Sequence, residues 1–420
     1  MKNIVLLTFD SLRADHCSHH GYDRDTTPNL ADIAQNGISF SNAVSPASRT
    51  NPSMSGIFTG EHIINRDKIS NPEHSKYHLN RHGTFVEELS EKGYSTAAFC
   101  PNAYSSRYYG FDNGFDKFED FMFSSEKYKK LFDRHITESS VYTAVRNLRN
   151  LIRKEEAFRL WETYIDNIEQ WAEKSNKPFF LWAFALDTHF PYIVPRNQQK
   201  WSNLLEMYYY NWRCNQLLDK FDIQISEREK QGIMNIYDDS IRYADLMIKE
   251  VKKRLDKYDP VYIITSDHGE AIGERGIYGH FYPSLYEENI HVPLVIGGNI
   301  EQTKTIDNPT SLTELYDMVI SISETGSISY NPKDIVFATT YDGRRERNLF
   351  TYKTKSWKYH YILEDGTEQK KLFNMDGNLV EPENEVENEP VSSALGALAD
   401  RRKSHEEEII QIRESVKTID

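Results

Sequence analysis

Three short polar clusters follow apolar runs: Asp10 after Ile4–Phe9, Asp187-Thr188-His189 after Phe179–Leu186, and, past Ser266, Asp267-His268 after Val261–Thr265. In an open α/β sheet, reactive residues gather in the crevice at the carboxyl ends of the strands, so groups distant in sequence can converge there. Acids and histidines meeting at such a point can hold one divalent cation. A single Asp after a strand is more often a turn or helix cap. It is the combination of three strand ends that carries the reading.

A fourth segment, Ser48–Gly60, supplies a hydroxyl. Asn51 and Pro52 are N-cap and first-turn residues and Gly60 is a helix terminator, which places Thr50 just ahead of a helix N-terminus. Free backbone N–H groups and the positive dipole end there suit a tetrahedral anion. A Thr hydroxyl coordinated to a metal at that point is an activated nucleophile.

The elements that must position these groups follow an alternating pattern. Strand-length apolar runs alternate with helix-period segments, which predicts an α/β fold with a mostly parallel sheet covered on both faces. One helix is expected from Pro28, with Thr27 as N-cap and Gly37 past its end. Another opens with a capping box, Thr84 and Glu87, stops near Gly93 and feeds a strand over Ser95–Cys100. Ile233, Ile236, Ile241, Ala244, Ile248, Val251 and Leu255 recur at helical spacing within Glu227–Asp256, a helix that delivers the strand Val261–Thr265. Residues from about 120 to 178 are charged and helical and read as an insertion. Beyond residue 305 the chain changes to short strand-like pieces, Ile335–Thr339 and Lys358–Leu363, and an acidic stretch, Asp376–Glu389, read as a solvated connection. The expected division is a catalytic α/β domain over 1–305 and a smaller subdomain over 306–420.

The bulk properties narrow the partners. The chain has 420 residues and a net charge of −14, whereas a nucleic-acid or anionic-membrane partner needs a basic face. Three scattered cysteines, Cys17, Cys100 and Cys214, give neither a disulfide framework nor a Cys-based zinc site. The N-terminal apolar run is too short for a signal peptide, and Phe179–Leu186 is too short to span a bilayer. The default expectation is a cytoplasmic protein without membrane insertion, acting on a small anionic ester, with homo-oligomerisation left open.

Taken in order, the motifs resemble the sulfatase family of the alkaline phosphatase superfamily over nearly the whole chain. The resemblance rests on Asn3–His16, Thr26–Leu30 with Gly37–Phe40, Asp187–Tyr192, Tyr237–Asp245 with Ser266–Glu270, Gly279-His280 with Leu285–Glu288 and Val292–Leu294, and Trp357–Tyr359 with Leu372–Met375. It implies an alkaline phosphatase-like sandwich with a mostly parallel central sheet and a smaller C-terminal α+β subdomain, built on a small antiparallel sheet and a terminal helix. It also implies one divalent metal ion held by Asp10, Thr50, Asp267 and His268. Mainly oxygen ligands suggest Ca²⁺, Mn²⁺ or Mg²⁺. His189 and His280 would contact the ester oxygens or protonate the leaving group.

The departures bear on the reaction. Family sulfatases carry a Cys or Ser that is oxidised to formylglycine, in a Cys/Ser-x-Pro/Ala-x-Arg signature. Aligned on Pro52, Ser53, Thr59 and Gly60, this chain has Thr50 at that position and Met54 in place of the Arg. Ser45–Arg49 satisfies the signature by letter but lies five residues too early. The Lys-x-His segment is replaced by Pro101-Asn102-Ala103-Tyr104, and Ser11 replaces the second Asp of the usual pair. A formylglycine hydrate expels sulfate by reverting to an aldehyde, which a threonine ester cannot do, so the nucleophile leans toward phosphorus. The readings are therefore a phosphoester hydrolase using unmodified Thr50, a true sulfatase, and an anion-binding pseudoenzyme. His16, His19 and His20, and likewise His74, His78 and His82, follow no strand end and are assigned structural or surface roles.

Overall fold

The computed structural model describes residues 1–63, 72–121, 159–175, 178–218, 220–376 and 378–417. Its centre is an eight-stranded sheet: β1 Ile4–Phe9, β2 Ile38–Phe40, β3 Ser95–Phe99, β4 Lys117–Glu119, β5 Phe179–Ala185, β6 Val261–Ser266, β7 Leu294–Gly298 and β8 Lys304–Ile306. The order across the sheet is β8-β2-β7-β6-β1-β5-β3-β4. Among the described residues β7 alone runs antiparallel to its neighbours. The mostly parallel α/β sheet read from the sequence is therefore the observed one.

Every residue of β1, β5 and β6 is buried, as strands covered on both faces require. Side chains alternate between the two faces. Val5, Leu7 and Phe9 join one apolar layer with the long helix Glu227–Leu255, while Ile4 and Leu6 join a second with the helices Thr50–Thr59 and Phe85–Glu91. The described end of the expected insertion, Ile165–Lys174, is a helix packed in the first layer; residues 122–158 lie outside the described residues.

Helix boundaries follow local chemistry, with one correction. The Thr84–Glu87 capping box is present, and a further one, Ser226–Glu229, opens the long helix. Thr27 makes no cap bond. The free N–H groups of Asn29 and Leu30 instead donate to the Asp245 carboxylate at 3.0 and 2.9 Å, so the long helix caps the Pro28–Gln35 helix from outside. Gly37 is needed for close approach, because a Cβ there would collide with the Ile296 carbonyl oxygen.

A second, antiparallel sheet follows: β9 Val336–Asp342, β10 Arg347–Lys353, β11 Trp357–Glu364 and β12 Thr367–Asn374, in sequential order. The terminal helix Glu389–Lys417 packs on it through Leu395 and Ala399. A buried ion network ties this sheet to the main body. Lys353 and Lys358 both donate to Glu287, and Lys358 and His360 reach Glu381 at 2.7 and 2.6 Å. Glu381 is only 3% exposed, so the acidic stretch is not solvated throughout. β8 pairs at the edge of the main sheet, and Leu315, Met318, Val319, Ile322 and Ile328 lie in its second apolar layer. We propose that the C-terminal unit expected from residue 306 begins as a packing unit between Ile328 and Val336. No described helix is long and apolar enough to cross a membrane.

Candidate functional site

The carboxyl ends of β1, β5 and β6 lie side by side, with Phe9 opposite both Ala185 and Ser266. The residues that follow these ends are thereby brought to one place. Ligand atoms of Asp10, Asp267 and His268 all lie within 4.8 Å of one another, and all three residues are fully buried. Thr50 is the first residue of its helix, two positions further in than expected, with Arg49 at the N-cap position and Gly60 at φ 73° closing the far end. Its hydroxyl is 3.3 Å from His268 Nε2 and the residue is 6% exposed. Ser45, the alternative by letter, has its hydroxyl bonded to the main-chain carbonyls of Ala47 and Asp267.

The surroundings fix each group's state. His268 Nδ1 lies 2.9 Å from the Gly269 carbonyl. A donated N–H there leaves the Nε2 lone pair facing the carboxylates, the tautomer a metal ligand needs. Backbone N–H groups of Ser11 and His268 donate to Asp267 Oδ1 at 3.2 and 2.8 Å, whereas Asp267 Oδ2 is buried without a hydrogen-bond partner. Burial raises the Asp267 carboxyl to about 7, only partly offset by Ser11, Thr50 and His268. Asp10 is raised by burial and then by the Asp267 charge. Two buried carboxylates with one orphaned oxygen and a neutral imidazole form a donor set that a divalent cation fits, because the cation supplies the charge burial withholds.

His189 and His280 complete the cleft. The rings of His280 and His268 have centroids 4.5 Å apart, and those of His280 and His189 5.1 Å. His280 Nδ1 lies 2.9 Å from Glu270 Oε1, while Glu270 Oε2 accepts from Tyr192 at 3.2 Å. Burial, then His189, lowers His280 to about 3. Burial disfavours the charged form of His189 too, but the Asp10 and Glu270 carboxylates outweigh it and its pKa is raised.

Sequence reasoning gave no role to Asn102, although it names the segment. Asn102 Nδ2 donates to Asp10 Oδ2 at 2.6 Å and lies 3.5 Å from the Thr50 hydroxyl. Its position just after β3, a fourth strand end on the same sheet edge, was the available signal. The supporting pair Glu270 and Tyr192 was also missed. Among the other histidines, His16 binds Asp238 at 2.7 Å and His78 binds Thr59 at 3.0 Å, both in buried hydrogen bonds.

Comparison with known proteins gives a family. A sequence model described as Sulfatase matches residues 2–323. Phosphatidylethanolamine transferase Mcr-1 of Escherichia coli is 24% identical over 288 residues, which cover 67% of this chain and 45% of that protein. Arylsulfatase K of Homo sapiens is 23% identical over 370 residues, covering 76% of this chain and 63% of that one. The chain thus spans between about half and two thirds of these relatives. The crystal structure of the phosphonate monoester hydrolase of Agrobacterium radiobacter superposes with a TM-score of 0.63 at 15% identity, covering 99% of this chain and 96% of that one. The fold is the alkaline phosphatase-like sandwich with its small antiparallel sheet, and the chain belongs to the sulfatase family.

Proposed function

We propose that this protein is a metal-dependent hydrolase of a phosphate or sulfate ester, with unmodified Thr50 as nucleophile and phosphoesters favoured. The observation that carries the reading is the Thr50 hydroxyl at a helix N-terminus, 3.3 Å from His268 in the pocket of Asp10 and Asp267. Asp10, Thr50, Asp267 and His268 would hold one Ca²⁺, Mn²⁺ or Mg²⁺ ion. When bound, such an ion withdraws charge from the ester oxygens and favours the ionised hydroxyl of Thr50.

Thr50 releases its hydroxyl proton to solvent, Oγ1 attacks phosphorus, the Thr50 O–P bond forms, and the bond to the leaving oxygen breaks. His189, held more basic than an ordinary imidazole, gives its proton to that oxygen. His280, kept neutral and oriented by Glu270, contacts a non-bridging ester oxygen. Asn102 holds Asp10 and the Thr50 hydroxyl in register. A water deprotonated by the now neutral His189 then cleaves the Thr50 O–P bond, and the departing Thr50 oxygen regains its proton from solvent.

A second reading, transfer of the phosphoryl-bearing group to an acceptor alcohol rather than water, is favoured by the match to a protein named as a phosphatidylethanolamine transferase. The test is a rate comparison of p-nitrophenyl sulfate, p-nitrophenyl phosphate and bis(p-nitrophenyl) phosphate with Mn²⁺ and with Ca²⁺. Phosphoester turnover exceeding sulfate turnover is expected. Faster sulfate cleavage would select the true-sulfatase reading. No turnover of any ester would select a protein that binds anions without catalysis.

A further inference from the structure

The turn that leaves β1 carries a strained residue at the metal pocket. Ser11 follows Asp10, is fully buried, and holds a left-handed backbone at φ 65°. Among the described non-glycine residues with positive φ it alone is buried; the others are half-buried or exposed. Side chains other than Asn, Asp and His rarely adopt this conformation, so the residue type does not choose it. Such a conformation persists only where its surroundings over-determine it. The Tyr237 hydroxyl, from the long helix Glu227–Leu255, donates to the Ser11 carbonyl at 2.7 Å and accepts from the Arg13 N–H at 3.1 Å. The Leu12 N–H donates at 2.8 Å to the hydroxyl of Ser266, the last residue of β6. These bonds hold the turn on both sides of Ser11.

Held in this way, one residue supplies donors to two carboxylates. Ser11 Oγ donates to Asp10 Oδ1 at 3.0 Å, and the Ser11 N–H donates to Asp267 Oδ1 at 3.2 Å. The remaining oxygens are sorted accordingly. Asp10 Oδ2 accepts from Asn102 at 2.6 Å, whereas Asp267 Oδ2 has no hydrogen-bond partner. Asp10 Oδ1 and Asp267 Oδ2 lie 3.7 and 3.5 Å from His268 Nε2. Each carboxylate therefore has bonds that fix its plane and one oxygen beside the imidazole with a lone pair left for a cation. A carboxylate side chain at position 11 could not donate to Asp10 and would add a third negative charge, so the role needs a neutral donor.

We infer that Ser11 is a positioning residue of the metal centre, tying Asp10 to Asp267 so that their free oxygens are set for the ion before it binds. The inference rests on the metal-binding reading of the cleft and adds to it the residue that preorganises the carboxylates. Like charges brought together in a buried pocket repel, and a residue bonded to both holds them in place against that repulsion. If Ser11 were only a tight-turn residue, metal affinity would follow the stability of the turn and not the presence of the hydroxyl.

The test separates the hydroxyl from the strain. Ser11→Gly keeps the N–H and adopts positive φ freely but has no hydroxyl. Ser11→Thr keeps the hydroxyl but adds a β-branch that disfavours positive φ. Affinities for Mn²⁺, Mg²⁺ and Ca²⁺ are measured by titration calorimetry, and the metal-free thermal midpoint in the presence of chelator. Ser11→Gly is expected to hold the ions that wild type binds about 10–100-fold more weakly. Its metal-free midpoint should stay near that of wild type, since relief of strain offsets the lost hydrogen bond. Ser11→Thr is expected to show the reverse: a lower midpoint, with metal affinity closer to wild type than that of Ser11→Gly. Wild-type affinity in Ser11→Gly overturns the inference and leaves the metal reading intact, as does a folded Ser11→Thr that binds no better than Ser11→Gly. Should Ser11→Thr fail to fold, the Ser11→Gly affinity decides alone. Wild-type protein that binds none of the three ions removes the metal reading and the inference with it.

Discussion

Replacing Asp187 by Asn should stabilise the protein at neutral pH, by an amount that grows with pH. Asp187 follows β5, two residues before His189, and is 4% exposed. Neither carboxylate oxygen has a hydrogen-bond partner of normal geometry, and burial raises its pKa to about 8, with the Trp161 and Asp187 backbone N–H groups opposing weakly. Below about pH 4 the group is protonated in both native and unfolded chains and costs nothing extra. Between about pH 4 and 8 the unfolded chain releases this proton while the native protein keeps it. Native stability from this group therefore falls by about 1.4 kcal/mol per pH unit across that window. Asn carries no such proton, so the gain of the variant over wild type should widen by about 2.7 kcal/mol between pH 5 and pH 7. An amide without partners costs about 1–3 kcal/mol at every pH, which offsets the absolute gain but cancels from the difference. The assay is urea denaturation of both proteins at pH 5, 6 and 7, followed by tryptophan fluorescence. A gap that stays constant with pH, or narrows, would show that the carboxylate is ionised and paired and would falsify the burial argument.

Three further outcomes follow from the site geometry. Asn102→Ala removes the 2.6 Å contact to Asp10 and should weaken metal affinity by about 10–100-fold, measured by Mn²⁺ titration calorimetry; unchanged affinity would make Asn102 a bystander. Glu270→Gln keeps the shape but loses the charged partner of His280, so kcat should fall about 10–100-fold with the circular dichroism spectrum unchanged. Chelation should lower the thermal midpoint, because a cation bound at 100 times its Kd stabilises the native state by about 2.7 kcal/mol. Asp267→Asn should abolish that response to added metal in thermal scans.

How much of this was legible in the sequence depends on which physical signal each residue leaves. The sheet was readable because β1, β5 and β6 are buried on both faces and so appear as unbroken apolar runs. That Asp10, Asp267 and His268 could meet followed from strand ends, since parallel neighbours deliver their carboxyl termini to one edge. Thr50 was readable as a helix-start residue, although the helix begins at Thr50 rather than at Pro52. Asn102 escaped because that strand end was searched for a cation or an imidazole, while the structure uses a neutral amide. The capping of Asn29 and Leu30 by Asp245 spans more than 200 residues and leaves no local pattern. The meeting of Arg49 and Arg345 at Asp342 was equally hidden, since it depends on the packing of the second sheet against the first body.

The central claim is that unmodified Thr50 is the nucleophile, and peptide mass spectrometry after rapid quenching tests it most directly. The peptide spanning Ser45 and Thr50 should carry its genetically encoded mass in the resting enzyme. During turnover of bis(p-nitrophenyl) phosphate with Mn²⁺ it should gain a nitrophenyl-phosphoryl adduct that fragments to Thr50 and is missing from Thr50→Ala. An aldehyde at Ser45 or Thr50 in the resting protein, or full turnover by Thr50→Ala, would contradict the account.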